Sequence, residues 1–402
     1  MLGTIIAGGI IAMGVGSTYY DSVDKHSLSG KISLIWKRIN LCVEDPRSKK
    51  KYYPKIIKQT WEGDNPVFYV KLPEGLSYFI VKKNIHFLMS GLKADIGLKF
   101  LDNDPNSDMK LIIYNGMMKE GLVYDFNEIN KRLKKTGFHA PIGFSKKGLE
   151  QIDFTQPNSP HMVWGGETGT GKTSGIRMLG THICLTHNPN EARFWLADLK
   201  DNTEFDIFRQ TMFCDKSIGR PQDAEAFFEE LINEQYSRLA RFKQYDCVRI
   251  DRYNEKSTQK MHRIFVLIDE LSLLMGNDYK KVREQLLTQI TAFGRATGVH
   301  LVIGTHRTDA QVMSGQMKEN ITTIVAFPCN PISARVLLGE DQAEMMKLID
   351  SDIQGRALFF HRNVSEIQVP FLDEDIASEI LAPYKIPSKP QNSQSLVLVK
   401  ST

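Results

Sequence analysis

The stretch Gly166-Glu-Thr-Gly-Thr-Gly171-Lys172-Thr173 sets the fold that we expect for this chain. It fits the pattern G-x-x-x-x-G-K-[ST] at every fixed position, and its glycines let the backbone curl so that N–H groups point at phosphate oxygens. The apolar run His161-Met-Val-Trp164 before it predicts a strand, and residues 174–185 after it have the pattern of a helix. This context favours a phosphate-binding loop over a chance match.

Each part of this loop has an expected task in binding a nucleotide. Lys172 is expected to reach the β- and γ-phosphates, and the Thr173 hydroxyl group is expected to bind Mg²⁺. The start of the following helix adds the positive end of its dipole. The predicted nucleotide-binding residues are Gly166, Glu167, Thr168, Gly169, Thr170, Gly171, Lys172 and Thr173.

A second apolar run, residues 264–268, ends in the acidic pair Asp269-Glu270. In a parallel sheet the carboxyl end of such a strand faces the ligand crevice. We therefore predict that Asp269 holds the water shell of Mg²⁺ and that Glu270 orients and polarises the attacking water. An acidic pair is also common on solvated strand ends, but a phosphate loop about 100 residues upstream favours catalysis.

Three further residues are predicted near the reacting phosphate. His306 follows the apolar run 301–304 and could sense the γ-phosphate, although a hydrogen-bonded loop histidine is the alternative. Arg295 and Arg335 lie in predicted helices, and either could point at the γ-phosphate of a neighbouring subunit as an arginine finger. An ordinary surface salt bridge is the alternative for each arginine.

The pattern of strands and helices changes near residue 138. Beyond it, short apolar strands predicted at 161–164, 193–198, 263–268, 299–304 and 321–327 alternate with long helical segments, which implies a parallel sheet wrapped by helices. Before it, residues 63–135 predict a small α/β unit: a strand entering a turn at 66–75, a helix at 78–92, and strands at 96–100 and 110–114.

The first twenty residues, MLGTIIAGGIIAMGVGSTYY, contain no charged side chain. As a helix they would span about 30 Å, the thickness of a bilayer core. Ten Lys or Arg against two acids follow between Lys25 and Lys58, so the positive-inside rule predicts a single anchor with the rest of the chain in the cytoplasm. The alternatives are a buried apolar helix and a cleaved signal peptide, but a signal peptide has its basic residues before the apolar run. The basic segment could contact anionic lipids or DNA phosphates.

The overall composition excludes several classes of protein. Of 402 residues, 42% are apolar and 24% are charged, which argues against a disordered chain or a fibrous repeat. The net charge of +4 is too small to predict a nucleic-acid partner by itself. The five cysteines lie far apart without metal-ligand spacing, which indicates a reduced compartment and argues against a disulfide framework or a zinc site.

The motifs, taken in order, resemble the FtsK/SpoIIIE family of DNA-translocating ATPases over roughly residues 63–365. The chain is identified as a member of this family by many short matches besides the phosphate loop: Pro160-His161, Asp198-Leu-Lys200, Val248–Asn254, Gly294–His300, Thr305–Arg307, Lys318–Ile321, Ala326–Phe327, Ser333-x-Arg335 and Gly355-Arg356.

The resemblance implies a RecA-like P-loop ATPase with a parallel sheet, preceded by a small α/β domain. It also implies a substrate and an assembly: double-stranded DNA, bound without sequence specificity, is moved through a homo-hexameric ring by hydrolysis of ATP with Mg²⁺. Two departures concern the site, since His306 stands where the family has Gln and Ile324 stands where it commonly has Arg. A third concerns length, because about 45 residues follow Gly355-Arg356, too few for the winged-helix domain of chromosomal translocases.

A short, singly anchored member is similar to the coupling proteins of Gram-positive conjugative elements. We therefore expect a bacterial membrane protein that delivers DNA, with a relaxase and transfer-channel proteins as partners. The alternatives are a soluble motor in plasmid replication or DNA packaging and a protein-secretion ATPase. The expected domains are an anchor (1–21), a basic juxtamembrane segment (22–62), a small α/β domain (63–137), the motor (138–386) and a disordered tail (387–402).

Overall fold

The computed structural model describes residues 27–62, 65–101, 104–114, 118, 120–156, 160–201, 203–276, 280–306, 315–347, 349–361 and 363–386. The predicted anchor at residues 1–20 and the predicted disordered tail lie outside these ranges. No helix within them is long and apolar enough to cross a membrane. The chain divides into two compact units, Met1–Gly116 and Met117–Thr402.

The first unit is built on an antiparallel sheet with the strand order β3-β4-β6-β5. In the strand Met109–Tyr114, the alternate residues Met109, Leu111 and Ile113 are buried, as expected for a strand with one face on a core. Trp36 and Phe68 pack in the same cluster. Its elements are α1 (Leu28–Arg38), β1 (Val43–Glu44), β2 (Lys51–Tyr52), β3 (Lys55–Glu62), β4 (Asn65–Lys71), α2 (Tyr78–Lys83), α3 (Ile85–Leu92), β5 (Asp95–Phe100) and β6 (Met109–Tyr114).

Two features of this unit differ from the sequence expectation. Residues 28–62, treated above as a basic juxtamembrane segment, supply α1 and three strands, and Ile32 and Trp36 of α1 are fully buried. The helix expected at 78–92 is interrupted at Asn84, which ends α2 and whose side chain donates to the Ile80 carbonyl. Short polar side chains favour helix ends because they bond to nearby backbone groups.

The second unit contains a large, mostly parallel sheet with the strand order β11-β10-β12-β13-β9-β14-β15-β16-β7-β8. The strands from β11 to β14 are parallel, and antiparallel pairing continues the sheet from β14 onward. The strands are β7 (His139–Ser145), β8 (Gly148–Asp153), β9 (Met162–Gly165), β10 (Ala192–Ala197), β11 (Cys214–Ile218), β12 (Arg263–Ile268), β13 (Val299–Thr305), β14 (Thr323–Ala326), β15 (Arg356–His361) and β16 (Asn363–Gln368).

Helices cover both faces of this sheet. Alternate residues of β12 belong to two different apolar clusters, with Phe265 and Leu267 in one and Ile264 and Val266 in the other. Burial on both faces explains the continuous apolar runs of the parallel strands. The helices are α4 (Phe126–Arg132), α5 (Lys172–Thr186), α6 (Asp206–Arg209), α7 (Ala224–Gln244), α8 (Ile250–Lys256), α9 (Leu271–Leu274), α10 (Lys280–Thr297), α11 (Gly315–Asn320), α12 (Pro331–Leu338), α13 (Glu340–Met346) and α14 (Glu374–Leu381).

The mixed α/β class and all five strands predicted for the motor are confirmed, each within about two residues of its expected bounds. The connection from β9 into α5 is also confirmed, so the phosphate loop lies between a strand and a helix. Because the strands are parallel, the carboxyl ends of β9, β10, β12 and β13 lie at one edge of the sheet. That edge carries most of the predicted site residues.

Candidate nucleotide site

The phosphate loop leaves β9 at Gly165 and enters α5 at Lys172. Gly171 precedes the helix with φ of +118°, a backbone conformation that side chains other than glycine rarely adopt. A Cβ atom on Gly166 would lie 2.6 Å from the Cβ of Phe327, so only glycine fits there without displacement. These two positions fix the curl that turns the loop's N–H groups inward and presents the amino end of α5.

Lys172 lies beneath this loop and is 5% exposed. Its Nζ donates to the carbonyl oxygens of Gly166 at 2.7 Å and of Glu167 at 2.6 Å. Burial lowers the pKa of Lys172 to about 8, while the charge of Glu270 acts in the opposite direction. The ammonium group therefore remains mainly protonated at neutral pH and supplies a positive charge at the loop.

Asp269 follows β12 and has one satisfied and one unsatisfied oxygen. Its Oδ1 accepts a hydrogen bond from the Leu199 N–H at 3.0 Å, whereas its buried Oδ2 has no hydrogen-bond partner. Burial raises the pKa of Asp269 to about 6, and the neighbouring charge of Asp198 adds to the effect. A buried carboxylate oxygen without a partner is costly, and a cation in front of it would remove that cost.

These residues fit a magnesium ion. Mg²⁺ is usually bound by one or two protein oxygens together with water and phosphate, and Thr173, in the first turn of α5, can offer the second protein oxygen. Within the described ranges no group of three or more His, Cys, Asp or Glu could hold a metal.

Glu270 is 3% exposed and is held by several donors. Its Oε1 accepts from the Ser272 N–H at 3.0 Å, from the Ser272 hydroxyl at 2.7 Å and from the Thr305 hydroxyl at 3.2 Å. Its Oε2 accepts from the N–H of His306 at 2.9 Å. These bonds tie the end of β12 to the end of β13 and fix the direction of the carboxylate. Such a fixed carboxylate can orient a water molecule.

The His306 ring lies between Glu270 and the phosphate loop. Its Nδ1 is 3.3 Å from the Thr168 hydroxyl oxygen, and its Nε2 is 3.5 Å from Oε2 of Glu270. Burial lowers the pKa of His306 and the charge of Lys172 lowers it further, while Glu270 opposes both. The structure thus brings together His306, Thr168 and Glu270, which the sequence places up to 138 positions apart.

A pocket of about 500 Å³ opens beside the loop. Lys172, Lys200 and His306 line its polar part, and Val123 and Phe371 line an apolar part. Backbone hydrogen bonds hold the apolar part together, from the Tyr124 N–H to the Phe371 carbonyl and from the Phe371 N–H to the Leu122 carbonyl. A pocket with one apolar and one cationic part is suited to a ligand that carries an aromatic base and phosphates.

Residues 131–310 match the model of the FtsK/SpoIIIE family. The matched segment is a P-loop ATPase domain that contains the phosphate loop, Asp269 and Glu270. The DNA translocase FtsK of Lactococcus lactis subsp. lactis (strain IL1403) is 24% identical over 309 residues, which cover 72% of this chain and 38% of that protein. The chain thus spans less than half the length of the curated FtsK proteins that it matches.

The fold of this chain is similar to that of two solved structures. The pCW3 conjugation coupling protein TcpA, a monomer form with ATPγS, matches with a TM-score of 0.58 and 22% identity over 89% of this chain and 99% of that one. The cytoplasmic domain of the Thermomonospora curvata type VII secretion ATPase EccC matches with a TM-score of 0.53 and 19% identity over 62% of this chain and 31% of that one.

The two arginines are not brought to the nucleotide pocket of the chain that carries them. Arg295 is exposed in the last turn of α10, and Arg335 is exposed on α12 with its Nε 3.4 Å from Oε2 of Glu340. Neither lines the pocket among the described residues. A role for either arginine at a neighbouring subunit stays a prediction.

Several pocket residues were not predicted to act in the site. The sequence points to Lys200 and Gly355 only through short matches to family motifs, and both line the pocket. Val123 and Phe371 belong to no motif, because an isolated pairing of two distant backbone segments brings them together. An exposed apolar residue beside a polar loop gives no signal in the sequence.

Proposed function

We propose that this protein hydrolyses ATP to move DNA and that it acts as a coupling protein in conjugative transfer. The observation that carries the proposal is the extent of the match to the coupling protein TcpA, which covers 89% of this chain and 99% of the other. The FtsK proteins, which are DNA translocases, support DNA as the substrate. The DNA would be double-stranded and bound without sequence specificity, as expected from the family resemblance.

The phosphate loop would hold the triphosphate and the apolar part of the pocket would hold the base. The backbone N–H groups of residues 166–171 would surround the phosphates, with Lys172 at the β- and γ-phosphates. Thr173 and Asp269 would hold Mg²⁺, which when bound neutralises negative charge on the phosphate oxygens. Phe371 and Val123 would contact the base, because Phe371 follows β16, which lies on the other side of β9 from β12 and its acidic pair.

Hydrolysis needs a water molecule aimed at the γ-phosphorus. Glu270 would accept a proton from this water while the new P–O bond forms and the bond to the ADP oxygen breaks. Oε2 of Glu270 accepts one of the four hydrogen bonds described above, from the His306 N–H. This arrangement leaves Oε2 better placed than Oε1 to receive the water. His306 would sense the γ-phosphate, and its contact with the Thr168 hydroxyl group would link the state of the nucleotide to the phosphate loop.

The remaining parts of the proposal concern assembly and location. Arg295 or Arg335 would complete the site of a neighbouring subunit in a homo-hexameric ring, since both are exposed and neither serves its own pocket. Residues 1–20 would anchor the protein in the bacterial cell membrane with the motor in the cytoplasm, where it would meet a relaxase and the channel proteins. The five-segment division of the chain stays a prediction.

A protein-secretion motor is the second candidate function. The fold similarity to the type VII secretion ATPase EccC favours it, but that match covers 62% of this chain and 31% of the other. A soluble motor in plasmid replication or packaging is the third. Fractionation of the full chain separates this third function from the first, because only an anchored protein would remain with the membranes after a salt wash.

A transfer assay tests the proposal. An element that encodes Lys172→Ala is expected to transfer its DNA at least 100-fold less often, because the loop loses its phosphate-binding charge. Lys216→Ala serves as the control, since Lys216 pairs with Glu230 and lies outside the nucleotide pocket. Normal transfer by Lys172→Ala would overturn the proposal. Lost protein secretion with normal DNA transfer would favour the second function.

A further inference from the structure

Lys200 lies in a turn whose backbone is held by two buried carboxylates. Oδ2 of Asp198 accepts from the Phe205 N–H at 2.8 Å, and Oδ1 of Asp269 accepts from the Leu199 N–H at 3.0 Å. The next residue, Asp201, has φ of +59°, an uncommon conformation for a residue other than glycine. Strained backbone held by its surroundings is frequent at binding sites, so this turn gives Lys200 a fixed position.

The side chain of Lys200 extends from this turn into the nucleotide pocket. Its Nζ lies 3.1 Å from Oε1 of Glu204 and 3.9 Å from Oδ2 of Asp269, the oxygen without a hydrogen bond. It lines the pocket together with Lys172 and His306. The Lys200 charge also lowers the pKa of both of these groups, so the three side chains act on the same space.

Lys172 and Lys200 face one pocket, so an anionic ligand that enters it is attracted by both ammonium groups. Lys172 belongs to the phosphate loop after β9, whereas Lys200 follows β10 and Phe371 follows β16. In the sheet, β10 and β16 lie on opposite sides of β9, with β12 and its Asp269 on the side of β10. A nucleotide with its base against Phe371 and its phosphates along the loop would therefore end near Lys200.

We propose that Lys200 is a second lysine of the nucleotide site and binds the terminal phosphate of a nucleoside triphosphate. The proposal rests on the proposed function, because it requires a nucleotide in this pocket. It deepens that function by assigning to Lys200 the distinction between a triphosphate and a diphosphate. A different role is that Lys200 only pairs with Glu204 to stabilise the turn.

Equilibrium binding of ATPγS and ADP to the purified full-length protein, with Mg²⁺ present, separates the two roles. Lys200→Ala is expected to weaken the binding of ATPγS by about 10- to 100-fold, the range of a hydrogen bond to a charged group. Binding of ADP is expected to change less than about 2-fold, because ADP lacks the terminal phosphate. Lys200→Arg is expected to recover most of the ATPγS affinity, since it keeps the charge.

Two further variants complete the design. Lys216→Ala is the matched control, because Lys216 has a similar side-chain exposure (35% against 39%) and a glutamate partner on another part of the sheet. Glu204→Gln removes the ion pair but leaves Lys200 in place, so the preference for ATPγS over ADP is expected to persist. If the ion pair is the whole role of Lys200, Glu204→Gln reproduces the loss seen in Lys200→Ala.

Three results would overturn the proposal: an unchanged ATPγS affinity in Lys200→Ala, equal losses of ATPγS and ADP affinity in that variant, or the same loss in Glu204→Gln. Each of these can occur while wild-type protein binds nucleotide and supports DNA transfer, so the proposed function would survive. A wild-type protein that binds neither nucleotide would overturn both.

Discussion

Polar groups are buried at both edges of the large sheet, where its parallel strands begin and where they end, but among the described residues the buried carboxylate oxygens without a hydrogen bond lie at the carboxyl edge. At the amino edge, Nε2 of His161 donates to the Thr291 carbonyl at 3.1 Å, and its Nδ1 accepts from the Leu301 N–H at 3.0 Å. His300 likewise bonds to Pro160 and Arg263. At the carboxyl edge, Oδ2 of Asp269 and Oδ1 of Asp198 have no hydrogen-bond partner.

This difference separates a structural edge from a binding edge. A buried polar group with all its hydrogen bonds made stabilises the fold, whereas an unpaired one costs free energy until a ligand meets it. We therefore expect substitutions at the amino edge to change stability and substitutions at the carboxyl edge to change nucleotide chemistry. The predictions below test that division.

The largest effect is expected for Asp269→Asn. The amide oxygen can still accept from the Leu199 N–H, but the negative charge that would hold Mg²⁺ is lost. We expect the ATP hydrolysis rate to fall by at least about 100-fold and the free energy of unfolding to rise by about 1–2 kcal/mol, because a buried charge with a raised pKa is removed. Hydrolysis and thermal unfolding of the full chain measure the two quantities.

Asp215→Asn provides the control for Asp269→Asn. Asp215 is a carboxylate of the same sheet whose side chain is 30% exposed and whose pKa burial raises, but its partner is Arg193 at 3.1 Å. Its substitution is expected to leave hydrolysis within about 2-fold of wild type. A large loss of stability in Asp269→Asn would contradict the description of this edge, because it would mean that the Asp269 carboxylate stabilises the protein in the absence of a ligand.

His161→Phe is expected to give the opposite result. The ring volume is nearly kept, but the Thr291 carbonyl and the Leu301 N–H lose their partner. We expect a loss of about 2–4 kcal/mol in unfolding free energy, with hydrolysis by the remaining folded protein near the wild-type rate. His262→Phe, at a side chain one-third exposed near the same edge, is expected to cost less than about 0.5 kcal/mol. Equal losses of unfolding free energy in His161→Phe and His262→Phe would mean that the buried hydrogen bonds of His161 do not stabilise this edge.

The two edges also predict opposite responses to acid. Burial lowers the pKa of His161 to about 4, whereas its value in an unfolded chain is about 6.5. Between these values the unfolded chain binds more protons, so the stability due to His161 is lost as the pH falls from 6.5 to 4. Burial raises the pKa of Asp269 to about 6, so in the same window the folded chain takes up a proton there and gains stability as the pH falls.

Unfolding measured from pH 6.5 to 4.5 in the absence of nucleotide tests this opposition. Asp269→Asn is expected to lose stability more steeply than wild type below pH 6, and His161→Phe is expected to lose it less steeply. The differences in slope are at most about 1.4 kcal/mol per pH unit for each group. Parallel curves for all three proteins would mean that neither group titrates in this range.

The sequence predicted the carboxyl edge better than its surroundings. Buried parallel strands appear as short apolar runs, and the loop and acidic pair follow motif patterns, so the sequence could place Lys172, Asp269 and Glu270 at one edge. The pairing of β16 with β7 joins segments more than 200 residues apart and leaves no local pattern. The lack of a hydrogen bond to Oδ2 of Asp269 could not be predicted either. Whether a buried oxygen has a donor depends on every side chain and backbone group that the fold brings near it.

The smallest effect is expected at the apolar part of the pocket. Phe371 is 53% exposed, and its pairing with Val123 uses backbone atoms, so Phe371→Ala is expected to leave stability unchanged. The substitution is expected to weaken the binding of ATPγS and of ADP by the same factor, about 3- to 10-fold, since both nucleotides carry the base that would contact the Phe371 ring. Ile386→Ala, at a similarly exposed apolar residue outside the pocket, is the control. A loss confined to ATPγS would place Phe371 at the phosphates and reverse the direction in which we lay the nucleotide along the pocket.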